Sequence, residues 1–146
     1  MRVLGIDYGD RHIGLALSDP LLITAQPLGS YQLTGRENID RRYFRDLVVR
    51  HEVEEIVLGN PLRMDGSSGA RAAKTRDFAS WLEKAVGKPV ILIDERLTTC
   101  QALKTLEGDG IRGRKKKDWE DRIAAVIILS TYLERKRSAD DVLESD

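Results

Sequence analysis

The chain has 146 residues, with 24 basic and 24 acidic side chains and therefore no formal net charge. This length fits one domain with a real hydrophobic core, and the neutral balance argues against a protein that coats DNA or RNA, while leaving room for one local basic patch. One cysteine, Cys100, excludes an intramolecular disulfide, and two histidines disfavour a histidine-based zinc site. Any bound metal should therefore have oxygen ligands, which favours Mg²⁺ or Mn²⁺.

The chain shows no membrane or export signal. No apolar run is long enough to cross a bilayer, and the N-terminus lacks a signal-peptide pattern. We therefore expect a cytoplasmic protein with no membrane partner. Since no repeat or linker is visible, we expect a single domain over residues 1–135, followed by a polar and frayed tail over residues 136–146.

The first half begins with three predicted strands and ends with a helix. The strands are Arg2–Asp7, Ile13–Ser18 and Gly29–Leu33, of which the first two read as a hairpin. Asp19–Pro27 reads as a loop because it contains two prolines. Helical spacing follows at Ile39, Tyr43, Leu47 and Val48.

The second half alternates strands with helices. Ile56–Leu58 and Val90–Ile93 are continuous apolar runs, typical of strands buried on both faces. The helices are marked by Phe78, Trp81, Leu82 and Ala85, then by Thr98 or Thr99 to Leu106, and finally by Ile123 to about Glu134. This order predicts an α/β fold with a five-stranded mixed sheet, three antiparallel strands and then βαβα, flanked by helices.

Three acidic segments come at the ends of these elements. Asp7 closes the first strand, Asp94 and Glu95 close the last strand, and Asp121 lies at the start of the final helix. Ligands gather at the carboxyl ends of parallel strands, so Asp7, Glu95 and Asp121 could hold two divalent ions that act on a phosphodiester. Each acid also has a plain alternative: a solvated hairpin turn, a surface salt bridge, or an acid that offsets a helix dipole.

Two loops are candidates for holding phosphates. Residues 112–117 contain five basic side chains and one glycine and read as a flexible cationic loop. Gly59–Ser68 follows a strand, and its Arg63 could reach a phosphate. A solvated charge run and an ordinary turn are the alternatives.

The motifs together resemble the YqgF family, the Holliday-junction-resolvase-like proteins of bacteria. The resemblance covers the chain to about Glu134 and is specific because four motifs occur in the right order. They are residues 5–9 with Ile13 and Gly14, residues 59–66, residues 94–99, and Lys117 followed by Asp121 and residues 124–129.

The resemblance implies a ribonuclease-H-like fold and a divalent-metal nuclease site whose three acids fall on Asp7, Glu95 and Asp121. The family is described as candidate nucleases that trim the 5′ end of the precursor of 16S ribosomal RNA, and an older interpretation is the resolution of branched DNA. This chain has Trp119 and Glu120 where the family often has small or apolar residues. Asp118 is therefore the alternative candidate for the third acid.

The leading hypothesis is a nuclease that acts on structured RNA with two Mg²⁺ or Mn²⁺ ions, as a monomer or a homodimer. The phosphate backbone would be held by basic side chains at Arg11, Arg63, Arg96, Arg114, Lys115, Lys116 and Lys117. The alternatives are a resolvase acting on branched DNA and a nucleic-acid-binding module without cleavage. A phosphotransferase lobe is disfavoured because such enzymes need two lobes.

Overall fold

The computed structural model describes residues 1–9, 12–61, 69–98 and 114–144, and within the last range it describes side chains for residues 122–139. No helix in these ranges is long and apolar enough to span a membrane.

Five strands form one mixed sheet in the order β3-β2-β1-β4-β5. The first three strands pair antiparallel, whereas β1, β4 and β5 are parallel. This arrangement confirms the predicted mixed sheet. The strands are β1 (Arg2–Tyr8), β2 (His12–Ser18), β3 (Ala25–Gln32), β4 (Val53–Asn60) and β5 (Val90–Asp94).

Helices cover both faces of the sheet. The described residues contain α1 (Glu37–Arg50), α2 (Ala70–Val86), a short 3-10 helix (Glu95–Leu97) and α3 (Arg114–Glu144). On one face, Phe44 of α1 and Phe78 of α2 pack with the apolar side chains of β1, β2 and β4. On the other face, the α3 residues Ala125, Ile128 and Leu129 pack against the sheet. The prediction that helices flank the sheet is therefore confirmed.

A glycine in β1 allows α3 to lie very close to the sheet. A Cβ atom at Gly5 would stand 2.7 Å from Cβ of Leu129 and 3.1 Å from the backbone oxygen of Ala125. Both distances are shorter than ordinary van der Waals contacts, so a larger residue would push the helix away. Gly5 therefore fixes the height of α3 above β1.

Two strand predictions are wrong in detail. β3 begins at Ala25 and includes Pro27, where a loop was expected. Proline is tolerated because β3 is at the edge of the sheet. β5 is the other edge strand, and Leu92 is 37% exposed. The apolar run of β5 is therefore not buried on both faces, whereas Ile56, Val57 and Leu58 of β4 are.

The last helix is longer than its apolar stripe predicts. α3 continues to Glu144, so its predicted end near Glu134 is wrong. The added residues contain no glycine or proline and are mostly good helix formers. Positions 114–117 likewise belong to the helix rather than to a loop. The helix predicted from Thr98 or Thr99 to Leu106 lies almost wholly outside the described residues.

Candidate functional site

Asp7 is a buried carboxylate near the end of β1. Its residue is only 2% exposed, and it pairs with Gly14 of β2 in the antiparallel ladder. Side chains alternate along a strand, and Val3 and Gly5 both face α3. Asp7 therefore lies on the α3 face of the sheet, at the carboxyl edge.

Glu95 reaches the same face from the other side of β4. It is the first residue of the 3-10 helix after β5 and is 8% exposed. Its Oε1 atom lies 2.7 Å from the place that a Cβ atom would take at Gly59. Gly59 is the residue after Leu58, which pairs with Ile6, and Asp7 is the residue after Ile6. The two carboxylates are thus brought to neighbouring positions across β1 and β4.

The residues that flank Glu95 form a local ion pair. Asp94 accepts hydrogen bonds from the backbone and the guanidinium of Arg96, the shortest being 2.6 Å from Nη2 to Oδ2. These hydrogen bonds from Arg96 lower the pKa of Asp94. The salt-bridge alternative is therefore correct for Asp94 and Arg96, whereas Glu95 is buried beside them. Whether Arg96 also holds a phosphate stays a prediction.

The direction of α3 determines which of its residues reach this edge. At the start of β4, Glu55 accepts hydrogen bonds from the hydroxyl of Tyr132 at 2.7 Å and from Nζ of Lys136 at 3.1 Å. Near the end of β4, Gly59 lies against Ile128. The helix therefore runs antiparallel to β4, and its earlier turns approach the carboxyl edge.

Along the direction of the strands, position 121 of α3 and Asp7 of β1 lie at about the same distance from the carboxyl edge. Gly5 lies against Ala125, and Asp7 is two strand residues, or about 7 Å, further toward the edge. One turn of α3 back from Ala125 covers about 5–6 Å and reaches position 121. Position 118 is almost one turn further out. The backbone thus favours Asp121 over Asp118, although both side chains lie outside the described part of the chain.

Most of the predicted phosphate-binding residues cannot be placed. Arg11 and Arg63 lie outside the described residues, and for Arg114, Lys115, Lys116 and Lys117 the structure describes only the helical backbone. Their role stays a prediction. Within the described residues, no group of three or more acidic, histidine or cysteine side chains is placed to hold a metal.

Three features of this edge were not predicted from the sequence. Gly59 and Asn60 belong to β4 rather than to the loop that follows it. Among the described residues, the buried Oδ1 atom of Asn60 has no hydrogen-bond partner. Arg71 and Lys74 follow in α2, and both are exposed. In the sequence, only the spacing of four and seven residues from Phe78 could have indicated that Lys74 and Arg71 share one side of the helix with it.

The sheet order, the helices on both faces and the acidic edge define a ribonuclease-H-like fold of the resolvase type. Thermus thermophilus RuvC, solved in complex with a Holliday junction substrate, has this fold: its TM-score is 0.56 at 18% identity, covering 94% of this chain and 96% of that one.

A family model described as "RuvX: Holliday junction resolvase" matches residues 1–135. The chain belongs to this family, which is also called YqgF.

Two relatives share much more of the sequence. A Dictyoglomus thermophilum protein is 47% identical over 135 residues, covering 92% of this chain and 96% of the relative. A Halothermothrix orenii protein is 44% identical over 140 residues, covering 91% of this chain and 94% of the relative. Both carry the name "Putative pre-16S rRNA nuclease". The resemblance to the YqgF family is therefore confirmed.

Proposed function

We propose that this protein is a cytoplasmic, divalent-metal-dependent nuclease that trims the 5′ end of the precursor of 16S ribosomal RNA. The observation that carries the proposal is the convergence of Asp7 and Glu95 on the α3 face, at the carboxyl edge of the sheet. The names of the relatives support the choice of RNA as the substrate.

The donor set fits Mg²⁺ or Mn²⁺. Hard cations prefer carboxylate oxygens, and two buried carboxylates are costly unless positive charge or hydrogen-bond donors offset them. Asp7, Glu95 and Asp121 would hold two ions. When bound, the ions would lower the pKa of the attacking water and stabilise the leaving oxygen.

The chain itself positions the carboxylates through rigid elements. The ladder with β2 and β4 holds the strand of Asp7 on both sides. The backbone oxygen of Glu95 accepts hydrogen bonds from the backbone nitrogen of Thr98 at 3.0 Å and from its hydroxyl at 2.7 Å. Side chains held on such elements lose little freedom when substrate binds. Arg11, Arg63, Arg96 and residues 114–117 would hold the phosphate backbone.

The test compares two substrates under one condition. The protein is incubated in Mn²⁺ with a precursor 16S fragment and, separately, with a four-way DNA junction, and the Asp7→Asn variant is the control. We expect cleavage at the 5′ side of the RNA and loss of cleavage in the variant. Circular dichroism should show that Asp7→Asn keeps the native fold.

Each other outcome contradicts a named part of the proposal. Paired symmetric nicks in the junction, with intact RNA, would favour a dimeric resolvase. Binding of the RNA without cleavage would favour a nucleic-acid-binding module. Full activity of the folded Asp7→Asn variant would show that the carboxylate site is wrong.

A further inference from the structure

The N-terminal half of α2 extends beyond the sheet, next to the candidate site. Tyr8, the last residue of β1, stacks on Phe78 of α2 with ring centroids 4.5 Å apart. Tyr8 directly follows Asp7, so Phe78 marks the level of the carboxyl edge. Lys74 and Arg71 lie about 6 and 10 Å further along the helix axis, beyond that edge.

Arg71 and Lys74 lie on the same side of α2 as Phe78. Residues four and seven positions apart share one side of an α-helix, so Lys74 and Arg71 follow Phe78 on the same side. Phe78 is buried under the sheet, whereas Lys74 and Arg71 are exposed, as expected beyond the end of a strand. Ala72 and Thr75, on the neighbouring stripe, are buried. Ala72 and Thr75 therefore hold these turns of α2 against the rest of the protein. Arg71 and Lys74 project from a packed part of the helix.

The charge of these two side chains is available to a ligand. Within the described residues, neither Arg71 nor Lys74 forms an ion pair or a side-chain hydrogen bond. The only acid in this half of α2 is Asp77, which lies three residues after Lys74 but forms no ion pair with it. Two cations three residues apart, neither of which is held in an ion pair by a described acid, suit a polyanionic strand.

We propose that Arg71 and Lys74 bind the phosphate backbone of the RNA strand where it crosses the carboxyl edge of the sheet. This inference rests on the proposed function, because that function supplies the RNA. It adds a contact on the α2 side of the edge, whereas the carboxylates lie on the α3 side. A strand held from both sides would be fixed across the cleavage position.

The test measures binding without cleavage. Fluorescence anisotropy of a labelled precursor 16S fragment in EDTA gives the dissociation constant at several salt concentrations. The variant R71Q/K74Q is compared with K84Q/K88Q, which removes the same charge at and just beyond the opposite end of α2. Because all four side chains lie outside the buried core, both variants should keep the melting temperature of the parent.

Losing two phosphate contacts should reduce the slope of log K against log salt by about 1.4 and weaken binding roughly tenfold at 0.15 M salt. K84Q/K88Q should keep the parent slope. An unchanged slope in R71Q/K74Q, an equal loss in both variants, or no salt-dependent binding by the parent would overturn the inference. If the parent binds but cleaves no substrate in Mn²⁺, the proposed function fails while a selective loss in R71Q/K74Q still supports this contact.

Discussion

At the scale of single residues, Gly5 and Gly59 have similar packing but different neighbours. A Cβ atom at Gly5 would meet Cβ of Leu129, which is fixed to the helix backbone, whereas one at Gly59 would meet the flexible ends of Ile128 and Glu95. An added methyl group must displace whatever it touches. At Gly5 it would displace a helix, and at Gly59 it would displace a proposed metal ligand.

We therefore predict that Gly5→Ala loses more stability than Gly59→Ala, whereas Gly59→Ala loses more cleavage activity. Gly5→Ala should lower the free energy of unfolding more, within the range of about 1–3 kcal/mol for overpacked cores. Gly59→Ala should lower it less but reduce cleavage roughly 100-fold, since a misplacement of about 1 Å can cost that much. Urea unfolding and initial cleavage rates measure the two effects. If activity simply followed stability in both variants, Glu95 would not need its present position.

The sequence predicted the acids at this site but not the glycine that admits one of them. Asp7 and Glu95 could be found because strand ends are visible as the ends of apolar runs, and such ends meet at one edge. The contact between Gly59 and Glu95 joins residues 36 positions apart in different elements. No local pattern encodes it, so it had to be read from the packing.

At the scale of elements, a buried carboxylate joins β3 to α1. Oδ1 of Asp40 accepts hydrogen bonds from the hydroxyls of Tyr31 at 2.6 Å and Thr34 at 2.9 Å. Burial opposes ionisation, but these hydrogen bonds and others from the backbone outweigh it and lower the pKa of Asp40. Burial and the Asp40 carboxylate raise the pKa of Tyr31 to about 12.

This pair predicts a stability difference that depends on alkaline pH. The Tyr31 pKa is about 10 when unfolded and about 12 when folded, so its contribution is complete below pH 10 and is lost as the pH rises to 12. Tyr31→Phe should cost roughly 1.5–3 kcal/mol at pH 7, because a hydrogen bond to a charged group is removed. The difference between variant and parent, from urea unfolding at pH 8, 10 and 11, should shrink above pH 10. A constant difference over this range would contradict the assigned hydrogen bond.

The elements that the sequence placed wrongly share a cause. Apolar runs and helical stripes report burial, but β3 and β5 are edge strands and the last turns of α3 extend past its apolar stripe. Edge positions accept both Pro27 and an exposed Leu92 because, in the described part of the chain, each of these strands has a neighbouring strand on one side alone. Strand order is set by tertiary packing, so these details could not be predicted from local patterns.

At the scale of the whole molecule, zero net charge conceals a separation of charges. α1 and α2 carry eight basic and five acidic residues within their bounds, whereas the two buried acids of the candidate site lie on the α3 side of the edge. The neutral total argued only against a protein that coats nucleic acid. It could not show that Arg71 and Lys74 lie on the α2 side of the edge and Asp7 and Glu95 on the α3 side, because that depends on how the elements pack.

Metal binding should therefore stabilise the whole fold as well as support cleavage. A ligand that binds only the folded state at 100 times its dissociation constant adds about 2.7 kcal/mol to the free energy of unfolding. For a domain of this size that raises the melting temperature by roughly 5–10 °C. We expect this shift with Mn²⁺ in the parent and in Lys84→Gln, measured by circular dichroism against EDTA. It should be lost in Asp7→Asn and in Glu95→Gln, because each removes one charged ligand. If Mn²⁺ raises the melting temperature of all four proteins equally, the ion binds elsewhere, and Asp7 and Glu95 are not its ligands.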